Sequence, residues 1–260
     1  MISNKIDTND AGMRLDRYLK KLLPNAKASL IYKSIRKKNI TVNGKKAKEE
    51  DVLALGDTVE IYFSDETLAK FSKAPKSAKG KFPAIVFESA DFIIMDKSVG
   101  ILSHGTGKAY ERNMVDDMLA YLIHTKSYNP RAEKTFVPSI CNRLDRNTSG
   151  LILGAKTAAG LRAANAWLRN REVEKYYMTI VEGELKEERK VENRLTKDGE
   201  KNRVVEGDDG KDAVGIYRPI KTTGDYTLVE AELITGRTHQ IRQQLASIGH
   251  PVLGDRKYGH

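Results

Sequence analysis

Between residues 14 and 23 the apolar positions are Leu15, Leu19, Leu22 and Leu23, the spacing of one helix face, with Arg17, Lys20 and Lys21 on other faces. Pro24-Asn25 ends that helix. A second helix is expected with Ser29 as its N-cap, Leu30, Ile31 and Ile35 turned inward, and Lys33, Arg36 and Lys37 on the opposite face. Asn39 closes it. Ile40-Thr41-Val42 then reads as a short strand, Asn43-Gly44 as a hairpin turn, and Leu55-Gly56-Asp57 as a turn into a last strand over residues 58–63. The pattern predicts a small folded module over residues 1–63.

Residues 64–83 break the pattern. They hold Ser64, Ser72, Pro75, Ser77, Gly80 and Pro83, with lysine at 70, 73, 76, 79 and 81. Such sequence buries too little apolar surface to order itself, so a basic, flexible linker is expected. From residue 84 short strands recur: residues 85–87, 92–95, 151–155, 176–181 and 227–234. Helices are expected from Thr157 through Leu161, Ala164, Trp167 and Leu168, and over residues 239–248, the latter capped by Gly249 and stopped by Pro251. Residues 185–212, dense in charge and glycine, read as a solvent-exposed excursion or irregular hairpin. Strands and helices do not alternate regularly, so an α+β fold is expected over residues 84–260.

Charge sharpens this division. The net charge is +10. Residues 1–81 hold 18 Lys and Arg against 10 Asp and Glu, whereas residues 82–260 hold 27 against 25. A basic excess confined to one module suggests a polyanion, most often nucleic acid. A solvated basic helix face is the plainer alternative. The sole cysteine, Cys141, permits no intramolecular disulfide, which suits a reducing cytosol. No apolar run reaches membrane-spanning length, and residues 1–10 lack the apolar segment of a signal peptide. The histidines are scattered without ligand spacing and Cys141 is solitary, so no metal site is expected. The expected state is a cytoplasmic monomer.

The candidate chemistry lies in residues 141–153. Asp145 stands between Arg143 and Arg146, followed by Asn147, Thr148, Ser149 and Gly150 and then an apolar segment. Asn, Thr, Ser and Gly favour turns, so Asp145 should sit on a tight loop at the mouth of a strand. Flanking guanidiniums would hold it ionised, ready to act as a nucleophile or base. Taken alone, an Asp between two Arg is more often a surface ion pair.

Three segments read together change that weighting. These are Lys97-Ser98-Val99-Gly100-Ile101-Leu102-Ser103-His104, the Asn142 to Leu151 loop, and Thr235-Gly236-Arg237-Thr238-His239-Gln240-Ile241-Arg242 with its continuation through Gly254-Asp255 to Tyr258-Gly259. The combination closely resembles the RluA family of RNA pseudouridine synthases over residues 84–259. Residues 12–63 resemble the S4 RNA-binding domain through Arg14-Leu15-Asp16, the helix around Ser29, Val42-Asn43-Gly44-Lys45 and Gly56-Asp57. The pairing looks like the large-subunit rRNA branch of the family. It implies a mixed, largely antiparallel catalytic sheet beside a small α+β S4 domain, and no cofactor. The implied partner is RNA: 23S rRNA or a large-subunit assembly intermediate.

The resemblance also distributes roles. Asp145 matches the family's essential aspartate, Arg242 the arginine that pairs with it, and Tyr177 the tyrosine that stacks on the flipped uracil. Arg143 matches the residue that fills the vacated space, although a plain salt bridge remains open for it. Lys33, Arg36, Lys37 and Lys45 are the expected RNA contacts of the S4 module. Tyr176, on the opposite strand face, is expected only to pack. Asn142 stands where the family usually has His, and Ser98 where it usually has Pro. The amide of Asn142 cannot titrate but can hold the loop. The chain ends soon after Gly259, while relatives usually continue, so it is either short or truncated. A non-catalytic RNA-binding or ribosome-assembly factor is the competing reading.

Overall fold

The computed structural model describes residues 1–72, 80–107, 111–133, 135–198 and 203–259. Two compact units divide it, residues 1–165 and 166–260. Every named ladder among the described residues is antiparallel, in three sheets.

The first unit begins with β1 (Ile2–Lys5), α1 (Leu15–Leu22), α2 (Ala28–Arg36), β2 (Ile40–Val42), β3 (Lys45–Lys46) and β4 (Thr58–Ile61), the strands ordered β1-β4-β2-β3. The leucine stripe of α1 and Ile31 and Ile35 of α2 enter one core with Ile40, Val59 and Ile61. Ser29 is not the cap of α2. Lys27 holds that position without a side-chain bond, and Ser29 lies exposed in the first turn. The helix ends at a left-handed Lys38 (φ 60°) rather than at Asn39. The basic face is as expected: Lys33, Arg36 and Lys37 are exposed, and Lys45 lies exposed on β3.

The predicted linker contains structure at its start. Ser64 accepts the N–H of Thr67 (3.3 Å) and caps α3 (Asp65–Phe71), two acids lie in its first turn, and Leu68 joins the core of the module. Residues 73–79, with Lys73, Pro75, Lys76 and Lys79 of the predicted linker, lie outside the described residues.

The rest of the first unit is β5 (Ala84–Glu88), β6 (Phe92–Lys97), α4 (Met114–His124), β7 (Ser139–Ile140), β8 (Gly150–Ala155) and the start of α5 (Ala158–Asn170), with strand order β5-β6-β8-β7. The helix α4 has no counterpart in the sequence reading. Asn113 caps it by accepting the N–H of Asp116 (3.0 Å), and Met118, Leu119 and Leu122 are buried. Its approach to the sheet needs Gly154, where a Cβ would come within 2.5 Å of the Met118 sulfur and 2.8 Å of Ile93. Side chains also join the N-terminal module to this sheet half. Asn9 donates to Glu133 (3.1 Å) and accepts the N–H of Ala158 (2.9 Å), and the Thr135 hydroxyl donates to Asp10.

The second unit is a five-stranded sheet of β9 (Tyr176–Glu182), β10 (Arg189–Asp198), β11 (Arg203–Glu206), β12 (Lys211–Thr222) and β13 (Tyr226–Leu233), ordered β11-β10-β12-β13-β9, with α6 (Gln240–Ser247) against it. Of the two readings for 185–212, the hairpin is the one seen: β10 and β11 pair antiparallel in regular register within the sheet, residues 199–202 lying outside the description. Its charged residues alternate with inward Val191, Asn193 and Leu195 on a sheet with one solvated face. A buried amide network sews α6 to that sheet. Gln244 donates to Val191 O (3.2 Å), Ala213 O (3.1 Å) and Asn193 (2.9 Å), and accepts the Tyr217 hydroxyl (2.6 Å). Gly215 leaves the necessary space, since a Cβ there would lie 2.8 Å from both Gln244 and Tyr217 oxygens.

Candidate active site

Asp145 begins a tight turn between β7 and β8, its carbonyl accepting the N–H of Thr148 (3.1 Å). This is the turn that Asn, Thr, Ser and Gly foretold, and Gly150 (φ 123°) takes the backbone into β8. Asn142 braces the approach: its amide donates to Leu151 O (3.1 Å) and accepts the N–H of Leu153 (2.8 Å). The amide thus holds the loop, as the sequence suggests for a residue in place of His.

The segment after β6 locks the loop from the other side. The Ser103 hydroxyl donates to Leu144 O (2.6 Å) and accepts the Leu144 N–H (3.0 Å), both residues being buried. Lys97 is fully buried, and its ammonium donates to Ser98 O (3.1 Å), Ile101 O (2.8 Å) and Arg146 O (3.2 Å). Burial pushes the Lys97 ammonium down, and the Asp145 charge opposes that shift. Three carbonyl acceptors replace its water shell, the condition for burying such a charge. Arg146 completes the lock. Its carbonyl accepts the Gly100 N–H (2.8 Å), and its guanidinium donates to Gly100 O (3.2 Å). Arg146, given no role of its own in the sequence reading, thus serves as a backbone staple.

Arg143, also in the first unit, is exposed beside His104. Partial desolvation, and then the Arg143 charge, push that imidazole below its ordinary range. Cys141 is half-buried, and burial pushes its thiol up to about 11, so it is not a nucleophile at neutral pH.

Tyr177 and Arg242 belong to the second unit. Tyr177, on β9, packs against a core of Val181, Tyr217, Val229, Ala231 and Leu245, which Ile241 of α6 also flanks. Tyr176 points the other way. It is 51% exposed and bonded to Glu174 (3.3 Å), so it is a surface residue rather than the packing residue expected. Arg242 sits in the first turn of α6 and forms a bidentate pair with Asp255, Nε to Oδ2 at 2.6 Å and Nη2 to Oδ1 at 2.8 Å. Its guanidinium lies 5.1 Å from the ring centroid of Tyr258. Sequence reasoning did not give Asp255, Tyr258, Lys97 or Ser103 a role, although all four lie within the quoted motifs.

Lys33, Arg36 and Lys37 are exposed on and just after α2, and Lys45 is exposed on β3, all in the N-terminal module and distant in sequence from the Asp145 loop. Among the described residues no three His, Cys, Asp or Glu side chains are grouped as metal ligands would be, and no helix is long and apolar enough to cross a membrane.

Comparisons with known proteins agree with this arrangement. Residues 91–247 match the family described as RNA pseudouridylate synthase, and residues 13–59 match the S4 domain. The ribosomal large subunit pseudouridine synthase C of Vibrio vulnificus is 34% identical over 98% of this chain and 79% of that protein. The protein of the same name from Escherichia coli is 30% identical over 98% of this chain and 78% of its own length. The solved structure of human RNA pseudouridylate synthase domain containing 1 superposes with a TM-score of 0.55 at 23% identity, covering 72% of this chain and 73% of that one, which supports the fold.

Proposed function

Because the chain belongs to the RNA pseudouridylate synthase family, we propose that it isomerises specific uridines to pseudouridine in 23S ribosomal RNA, free or within a large-subunit assembly intermediate. The observation that carries this reading is the Asp145 turn, held by buried bonds from Lys97 and Ser103 at the end of a strand. A carboxylate on a rigid, braced turn is preorganised for one approach to substrate, which is where rate acceleration comes from.

In this reading a target uridine leaves the RNA stack, at a cost of a few kcal/mol. Arg143 occupies the vacated space, and the ring of Tyr177 supplies the flat partner for the flipped uracil. Asp145 acts on the nucleotide as an anion, attacking C1′, adding to the base or removing the 2′ proton. The N1–C1′ bond breaks, the uracil rotates, a C5–C1′ bond forms, the C5 proton passes to solvent, and N1 takes up a proton. Arg242 holds the Asp145 carboxylate charged and directed. Residues 1–63 form the RNA-binding module, with Lys33, Arg36, Lys37 and Lys45 on phosphate. Helix α3 extends that module, and the stretch after it, through residue 83, links it to a synthase domain over 84–260. The protein works as a cytoplasmic monomer without cofactor.

Release of tritium from 23S transcript tritiated at uridine C5 tests this directly. The expected result is stoichiometric release at a small number of sites. Tight RNA binding with no release would favour a non-catalytic assembly factor.

A further inference from the structure

The Arg242–Asp255 pair carries a consequence for catalysis. Asp255 is nearly sealed, its side chain 4% exposed against 27% for Arg242. Burial pushes its carboxyl up. The hydrogen bond and charge of Arg242, with the N–H groups of Lys257 (2.9 Å) and Tyr258 (3.4 Å), outweigh that penalty and leave it below the ordinary range. The turn that bears Asp255 is itself fixed. Asp255 N–H donates to Val252 O (3.0 Å), and Gly259 N–H to Asp255 O (2.7 Å).

Tyr258 ties the same turn to two other elements. Its hydroxyl accepts the N–H of Val204 on β11 (2.7 Å) and bonds the Nδ1 of His239 (2.9 Å). His239 precedes α6 in a left-handed conformation (φ 53°), unusual for a residue with a side chain. The Tyr258 ring lies against the Arg242 guanidinium, with Arg203 also over the ring at 5.2 Å. The guanidinium is therefore held in direction by a bidentate carboxylate and lies over an aromatic ring. Such a pair is weak as a source of stability, because desolvation offsets its attraction. Its distinctive product is orientation.

We propose that Asp255 is a positioning residue for the reaction: it fixes the Arg242 guanidinium against Tyr258, and loss of its charge slows catalysis through Arg242. This rests on the reading of Arg242 as part of the catalytic site.

The test measures single-turnover tritium release, RNA Kd and Tm for the wild type, Asp255→Asn, Asp255→Glu, Arg242→Lys and the double variant Asp255→Asn/Arg242→Lys. The rate for Asp255→Asn should fall on the order of 10- to 100-fold, as expected of a small misplacement of a catalytic group, with Kd within about twofold of wild type. Asp255→Glu, which keeps the charge one methylene further out, should recover part of the rate. In the Arg242→Lys background the Asp255→Asn change should cost little more, because both act through one group. A wild-type rate for Asp255→Asn beside a slow Arg242→Lys would overturn the proposal and spare the reading of Arg242. A wild-type rate for Arg242→Lys would overturn both. A loss that persists in full in the double variant and follows Tm would make Asp255 a fold staple. If Asp255→Asn does not fold, Asp255→Glu decides: a rate reduced with Tm unchanged supports the proposal, and a rate reduced only in step with Tm overturns it.

Discussion

The hydroxyl of Ser103 and the peptide groups of Leu144 satisfy each other: one oxygen donates to the Leu144 carbonyl at 2.6 Å and accepts the Leu144 N–H at 3.0 Å. The residue that follows is Asp145, so this closed pair sets the backbone from which the carboxylate projects. Ser103→Ala removes the hydroxyl and leaves a buried donor and acceptor without partners, at about 1–3 kcal/mol each. The expected outcome is a lowered Tm together with a slower single-turnover rate and unchanged RNA affinity. A wild-type rate would separate this pair from the site.

The two adjacent tyrosines should behave differently. Tyr177 packs on the core of the second unit, while Tyr176 lies on the exposed face of β9. Tyr177→Leu should slow release on the order of 10- to 100-fold, the rate equivalent of roughly 1–3 kcal/mol of stacking, and Tyr177→Phe should keep most of it. Tyr176→Leu should be near wild type. Equal effects at the two positions would argue against a stacking role for Tyr177.

Much of the Asp145 loop was legible because its determinants are local. Turn-forming residues follow the carboxylate, and apolar β8 follows them. The α1 and α2 faces were legible for the same reason. What was missed depends on distant partners. A lysine reads as a surface residue, and only the carbonyls of Ser98, Ile101 and Arg146 make the burial of Lys97 possible. The helix α4 carries Asp117 on its buried face, which spoils the apolar stripe. Arg112 (2.8 Å) and the N–H of Lys81 (2.9 Å) satisfy that acid. The bonds from Asn9 to Glu133 and Ala158 span more than a hundred residues and have no local signature.

That junction carries a pH dependence. Burial, with the charge of Asp7, pushes the Asp10 carboxyl up against the lowering effect of Thr135, and burial with Asp7 and Asp10 pushes Glu133 up. A carboxyl raised in the folded state contributes stability fully present below its unfolded pKa of about 4 and lost as pH rises through the folded value. Asp10→Asn keeps an acceptor for Thr135 and removes the charge. Its Tm relative to wild type should therefore rise between pH 4 and pH 7. A difference independent of pH would contradict the junction described.

The basic face of α2 should appear in the salt dependence of RNA binding. Replacing Lys33, Arg36 and Lys37 with Gln should weaken binding and reduce the slope of log K against log salt by about 0.7–0.9 per lost phosphate contact. The same slope and affinity would assign those residues to solvent.

The most direct measurement is tritium release by Asp145→Asn. The substitution keeps the size of the side chain on a turn whose backbone bonds come from Ser103, Lys97 and Gly100. With 23S transcript tritiated at uridine C5, wild-type protein should release tritium. Asp145→Asn should release none while binding the RNA with wild-type affinity and melting at the wild-type temperature. Release by the variant at the wild-type rate would contradict the assignment of Asp145 as the catalytic carboxylate.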